Sequence, residues 1–305
     1  MQIVRDLNGY KSDADLLLTI GVFDGVHIGH RAVLDRLRAY RSPGRLTAAL
    51  TFERHPLAFL HPEQTPKALT TMAEKVNLLD ACGLDILFLV PFDERIQRIG
   101  AREFLEDVLL RRLRTRLLIV GTNWRFGHDR TGDVELARAV LESGGCAFEV
   151  ESLLTRDGQR VSSSRIRALI EQREFRYADE LLGAPFTLRG SVRGGDGRGH
   201  LLGVPTANLA LPEDKLVPPP GVYAARARYD GIDYDAVVSI GDKPTFAGHH
   251  DIAVEVHLLD FERSIYGEEI AVWDWRLLRE QHRFENADAL VEQMKRDIAA
   301  ARTRR

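Results

Sequence analysis

A chain of 305 residues, 44% hydrophobic and 29% charged, has the composition of an ordinary globular protein and length enough for two domains. Its formal net charge of -3 lacks the basic footprint that general nucleic-acid binding requires. The two cysteines, Cys82 and Cys146, have no metal-ligand spacing; they exclude a disulfide framework and a structural zinc site and fit a reducing cytoplasm.

The N-terminus lacks the basic and long apolar regions of a signal peptide, and no run reaches the ~18 apolar residues that span a membrane. Leu16–Val22 reads as a strand and His30–Tyr40 as a helix. Strands at Leu46–Phe52, Asp85–Val90 and Leu117–Val120 then alternate with helices at Met72–Cys82, Ala101–Arg112 and Asp133–Ser143. Such alternation predicts a parallel sheet with helices on both faces. A further helical stretch runs over Ser163–Leu182. Beyond it the texture changes. Short alternating segments at Phe186–Val192, Val222–Tyr229, Tyr234–Ile240, Ile252–Leu259 and Glu269–Trp275, separated by Gly- and Pro-rich turns, predict a small β-barrel or sandwich. A last helix covers Asn286–Arg302. The boundary is expected near Gly183–Pro185, giving domains 1–184 and 185–305.

The segment GVFDGVHIGH, Gly21–His30, follows a strand and opens a helix. Ligands bind at the carboxyl ends of strands in open α/β sheets, and a helix start favours an anion. His27 and His30 around Gly29 suit an ATP phosphate chain, although two ordinary turn histidines would look the same. VSSSRIR, Val161–Arg167, offers hydroxyls and guanidiniums at another helix start; alone it reads equally well as an N-cap. The two elements, one α/β domain apart, resemble nucleotidylyltransferases. GTNWRFG, Gly121–Gly127, and TFERHP, Thr51–Pro56, also follow strands. They suit a planar ligand, while each aromatic alone reads as core.

In the second half, Gly190–Asn208 reads GSVRGGDGRGHLLGVPTAN. Its glycines suit a phosphate-covering loop, and Thr206 and Asn208 are hard oxygen ligands fit for Mg²⁺ on a nucleotide. A kinase acting on an alcohol needs a nearby carboxylate. Glu255 is the candidate, on the strand face opposite Val254, Val256 and Leu258, where an ordinary solvent-facing residue would also sit.

These segments, with PFDERI, PPPGVYAARA, SIGDKPTF, EVHLLDF, IYGEEI and LREQHRF, resemble the bifunctional riboflavin kinase/FMN adenylyltransferase family from end to end. The resemblance implies a Rossmann-like α/β adenylyltransferase domain, a six-stranded antiparallel β-barrel kinase domain and a terminal helix. It implies ATP as co-substrate, Mg²⁺, and riboflavin, FMN and FAD as substrates or products. His27 and His30 would contact ATP phosphates, with Gly21, Phe23, Asp24, Gly25 and Gly29 around them and Ser163, Ser164 and Arg167 closing over the triphosphate. Asn123, Trp124, Phe126, His55 and Arg279 would lie beside flavin. In the kinase, Gly195, Gly199, Gly203 and Pro205 would bind ATP, Thr206 and Asn208 the metal, and Glu255 would be the base. Partners would be small molecules, with no nucleic acid or membrane; weak self-association stays open. Val22 stands where the family usually has Asn, and His200 where it has Arg. A kinase with an inactive first domain is the alternative.

Overall fold

Leu16, Leu17 and Leu18 are fully buried, because the strand that carries them lies inside a sheet covered on both sides. In the computed structural model, which describes residues 1–11, 14–152, 154–194, 204–244 and 250–303, the chain divides into units Met1–Ser163 and Ser164–Arg305.

In the first unit the order is β1 (Gln2–Val4), β2 (Asp15–Ile20), α1 (Ile28–Arg38), β3 (Arg45–Phe52), α2 (Leu57–Leu60), α3 (Met72–Ala81), β4 (Ile86–Val90) and α4 (Glu94–Arg98). There follow α5 (Ala101–Glu103), continued by π-type turns through Phe104–Arg112, β5 (Thr115–Gly121), α6 (Val134–Ser143), β6 (Ala147–Glu151) and the hairpin β7 (Thr155–Arg156) and β8 (Gln159–Arg160). The sheet order is β1-β4-β3-β2-β5-β6, parallel throughout. Period-two alternation sends Leu16 and Leu18 into one core and Leu17 into the other. From β2 the chain winds one way to β3 and β4, and from β5 the other way to β6. The carboxyl ends of β2 and β5 therefore flank the switch point, where doubly wound sheets bind ligands.

α7 (Ser163–Glu171) begins at the last residue of the first unit and leads into the second, where α8 (Phe175–Leu182) follows. The helical stretch expected over Ser163–Leu182 is divided into these two helices. Arg173 takes the left-handed conformation, φ 64; Glu174 N donates to Leu169 O (2.8 Å) and Arg173 N to Ile170 O (3.0 Å). This is a Schellman ending with Arg where Gly is usual, so no glycine marked the break.

A barrel follows: β9 (Leu188–Arg193), β10 (Ala207–Ala210), β11 (Gly221–Tyr229), β12 (Ile232–Pro244), β13 (His250–Leu258) and β14 (Glu269–Arg279). It closes as β10-β13-β12-β11-β14-β9, with antiparallel pairs. Leu188, Ala207, Val238, Ile240, Val254, Val256 and Leu258 are buried. The last helix, α9 (Ala287–Arg302), is capped by Asn286 and packs Ala301 and Ile298 with Ala224 and Leu259.

Candidate active sites

The turn between β2 and α1 is held in conformations that side chains rarely adopt. Phe23 has φ 51, Gly25 φ 79 and the β-branched Val26 φ 39. At Phe23 and Val26, though not at Gly25, strain of this kind costs on the order of 1–3 kcal/mol per residue and persists only where the surroundings enforce it. The buried Asp24 carboxylate does so. It accepts from Leu69 N (3.0 and 3.1 Å), Thr70 N (3.2 Å) and Thr70 Oγ1 (3.3 Å), and Gly25 N donates to Thr70 Oγ1 (3.2 Å). Asp24 thus shapes the turn through the 69–70 backbone. Ser163 Oγ, at the end of the first unit, donates to Asp24 O (3.0 Å). Ser164 and Arg167 follow on α7, Arg167 one turn from Ser163.

His27 is buried and caps α1: its Nδ1 accepts from His30 N (3.3 Å). With Nδ1 accepting, Nε2 is the ring nitrogen left to carry the proton. His30 stacks on His27 at 3.7 Å between centroids, and its Nδ1 is buried with no hydrogen-bond partner among the described residues. Burial first, then His27 and Lys75, hold the His30 imidazole well below the ordinary histidine range. A Cβ on Gly29 would stand 3.2 Å from the His27 ring, and one on Gly21 3.2 Å from the Phe23 ring. The glycines keep both contacts open.

Lys75, which the sequence reading missed, braces this turn from below. It projects from α3, whose first turn is fixed by a Thr71–Glu74 capping box. Its buried ammonium donates to Val22 O (3.2 Å) and Phe52 O (3.5 Å), and Thr51 Oγ1 also donates to Val22 O (3.1 Å). The carboxyl ends of β2 and β3 are thereby tied together.

At the neighbouring loops, Phe126 is buried in the core and Trp124 stacks on it at 4.1 Å. Phe126 is thus a floor, and Trp124 the more accessible ring. A Cβ on Gly127 would come within 2.5 Å of the Ala101 backbone, which fixes this loop against α5. Asn123 is exposed, and His55 Nδ1 accepts from Leu57 N (3.2 Å). A second aromatic group went unread: Phe92 lies edge-on to Phe52 (5.2 Å) and Phe59 (6.0 Å), and Phe59 is 46% exposed.

In the barrel, Asn208 on β10 pairs with Glu255 on β13, and Glu255 pairs with Ser239 on β12. Their neighbours Ala207, Val256 and Val238 are buried, so Asn208, Glu255 and Ser239 share the outer face. His257 Nδ1 lies 2.7 Å from Pro205 O and pins the backbone before Thr206. A cavity of about 520 Å³ opens beside Thr206, lined among others by Val192, Leu258, Ile265, Phe261 and Tyr266. Arg279 is committed to the buried Asp297 of α9, with Nε and Nη2 2.9–3.2 Å from its oxygens. Next to it, Gln281 Nε2 donates to Ser239 Oγ (3.1 Å). Gly195, Gly199, His200 and Gly203 lie outside the described residues.

A family model described as FAD synthetase matches residues 10–165, and one described as riboflavin kinase matches 182–304. A Pseudomonas fluorescens protein described as bifunctional riboflavin kinase/FMN adenylyltransferase is 36% identical over 99% of this chain and 97% of its own. The chain belongs to the bifunctional riboflavin kinase/FMN adenylyltransferase family. A relative of the same description from Escherichia coli (strain K12) has the same identity and coverage. A solved structure described as a macrolide-efflux protein from Streptococcus pneumoniae aligns over 99% of both chains with TM-score 0.87 and 28% identity. That description names transport; among the described residues here no helix is long and apolar enough to cross a membrane. Both domains of the riboflavin kinase/FMN adenylyltransferase family are present, so the chain is an enzyme of both kinds and a kinase-only reading is not favoured.

Proposed function

We propose that the chain spends ATP twice, phosphorylating riboflavin to FMN on the outer barrel face and adenylylating FMN to FAD at the histidine turn. The observation that carries the first step is the register that sets Asn208 directly against Glu255. Glu255 accepts the proton of the ribityl 5′-hydroxyl as its oxygen attacks the γ-phosphorus of ATP, and ADP leaves. Thr206 and Asn208 offer neutral oxygen donors on one short segment beside that carboxylate, a set that fits Mg²⁺ completed by substrate phosphates. Bound there, Mg²⁺ would neutralise charge on the phosphates. The cavity beside Thr206, with Phe261 and Tyr266 in its walls beside Glu262 and Arg263, suits the adenine of ATP.

In the second step a phosphate oxygen of FMN attacks the α-phosphorus of ATP and pyrophosphate leaves. His27 donates through Nε2–H, and the first N–H groups of α1 face the phosphates. His30 and Ser163 complete the ATP side within the first unit; Trp124, Asn123, His55 and the Phe52–Phe92–Phe59 group make the flavin side. We place the functional division at 1–184 and 185–305, with 182–304 supporting the kinase limit. Charge and cysteine usage support a cytoplasmic protein with small-molecule partners and no nucleic acid.

The test is a time course with riboflavin, ATP and Mg²⁺, with flavins, ADP and pyrophosphate resolved separately. FMN with ADP should appear first, then FAD with pyrophosphate. FMN that never advances, even when supplied directly, would remove the adenylylation assignment; untouched riboflavin would remove the kinase assignment.

A further inference from the structure

Arg173 lies between the two stretches that the family models match, 10–165 and 182–304. It ends α7 in the left-handed conformation, φ 64, where a non-glycine residue costs roughly 1–2 kcal/mol. Glycine would hold this turn at no such cost, so the packing of the turn does not account for an arginine. Its side chain does. Arg173 Nη1 and Nη2 reach the two carboxylate oxygens of Glu280 (2.8 and 2.9 Å). Nη2 also donates to Pro220 O (3.0 Å) and Nε to Tyr223 Oη (3.3 Å). Tyr223 is itself buried and donates to Pro219 O (2.5 Å), so the guanidinium rests on a rigid base. The fork is a bidentate carboxylate grip, which fixes direction as well as distance.

What it grips is the segment after β14. Arg279 is tied to Asp297 of α9, Glu280 to Arg173, and Gln281 lies over β12, bonded to Ser239. A Cβ on Gly241 would meet the Gln281 amide at 2.3 Å, so β12 leaves a slot for that side chain. Ser239 is the cross-strand partner of Glu255. Three consecutive residues are thus held by three elements, and the middle hold is Arg173.

We infer that Arg173 is a positioning residue of the kinase site, which sets Gln281 as a wall of the riboflavin pocket through its grip on Glu280. The inference rests on the outer barrel face being the riboflavin site. Its effect falls on riboflavin binding, because Arg173 does not touch the reacting atoms.

The experiment uses the full chain with Arg173→Gly, Arg173→Lys, Glu280→Gln, Gln281→Ala and the Arg173→Gly/Glu280→Gln double variant. Glycine suits the backbone at 173, so Arg173→Gly should fold with an unchanged or higher Tm. It should raise the riboflavin KM roughly tenfold while changing kcat much less, as loss of binding without loss of chemistry does. Glu280→Gln should give a similar rise, the double variant no further rise, and Arg173→Lys a partial recovery. FAD formation from supplied FMN should stay at its wild-type rate. A wild-type riboflavin KM for Arg173→Gly beside a raised one for Gln281→Ala would overturn the role of Arg173 alone. Wild-type values for both would overturn the placement of riboflavin on this face. A fall in Tm with loss of both activities would reduce Arg173 to a structural residue.

Discussion

Asn208 and Glu255 stand directly opposite each other on β10 and β13, and this pairing places a neutral oxygen donor beside the one carboxylate of that face whose role the chemistry requires. Directly opposed side chains in an antiparallel pair have Cβ atoms about 4.5–5.5 Å apart. Glu255→Gln keeps the shape and removes the base, so FMN formation should slow by about 10²–10⁴-fold. Conversion of FMN to FAD by the same protein should be unaffected. A kinase rate within a few-fold of wild type would mean that Glu255 is a solvent-facing strand residue.

His27 has two functions that one substitution can separate. Asparagine is a strong N-cap and can accept from His30 N as His27 does now, but it presents no Nε2–H to a phosphate. His27→Asn should therefore keep the thermal stability of the first unit and lower adenylylation kcat by about 10²–10³-fold, measured as pyrophosphate release. Riboflavin phosphorylation is the internal control.

His30 carries a pH signature. Its imidazole is held well below the ordinary histidine value of 6.5 by burial, then by His27 and Lys75. The unfolded chain therefore binds its proton first as pH falls. The stability contribution is complete above 6.5 and is lost progressively below it. Calorimetry of the wild type should show the unfolding temperature falling as pH drops below that value. His30→Phe, which cannot protonate, should show a shallower fall.

Asp179 behaves in the opposite sense. Burial, with Asp274 nearby, pushes its carboxyl up to about 6 from 3.8, against the hydrogen bond from Phe186 N. A raised folded value means stability that is full below 3.8 and lost as pH rises through about 6. Asp179→Asn keeps an oxygen for Phe186 N and removes the titration. It should be the more stable protein at pH 8 and lose its advantage near pH 4, a comparison that denaturant melts at the two pH values would decide.

The sequence was most legible where one physical signal acted alone. Runs such as LLLTI and ILFLV, buried on both faces, announced β2 and β4, and Asp133 and Asn286 marked helix starts where their side chains indeed cap α6 and α9. The alternation of Val254, Val256 and Leu258 gave the facing of Glu255. Short strands gave no such signal. β1 and β10 have three and four residues, too few for a period, and they form because partners pair with them. The break at Arg173 had no glycine to show it. Lys75 and Phe92 were hidden for another reason: a lysine on a helix and a phenylalanine after a strand are ordinary until tertiary packing shows what they face. Phe126 packs into the core beneath Trp124, and hydrophobicity alone does not say which side of a loop a ring will take.

The closed ring from β9 to β14 has a consequence for the chain at high concentration. A closed barrel offers no unpaired strand flank to another molecule. In the six-stranded sheet the flanking strands are β1 and β6, three and five residues long, poor templates for strand addition. Edge-to-edge aggregation of the native protein is therefore disfavoured in both units, and precipitation during refolding should trace to chains whose barrel has not yet closed.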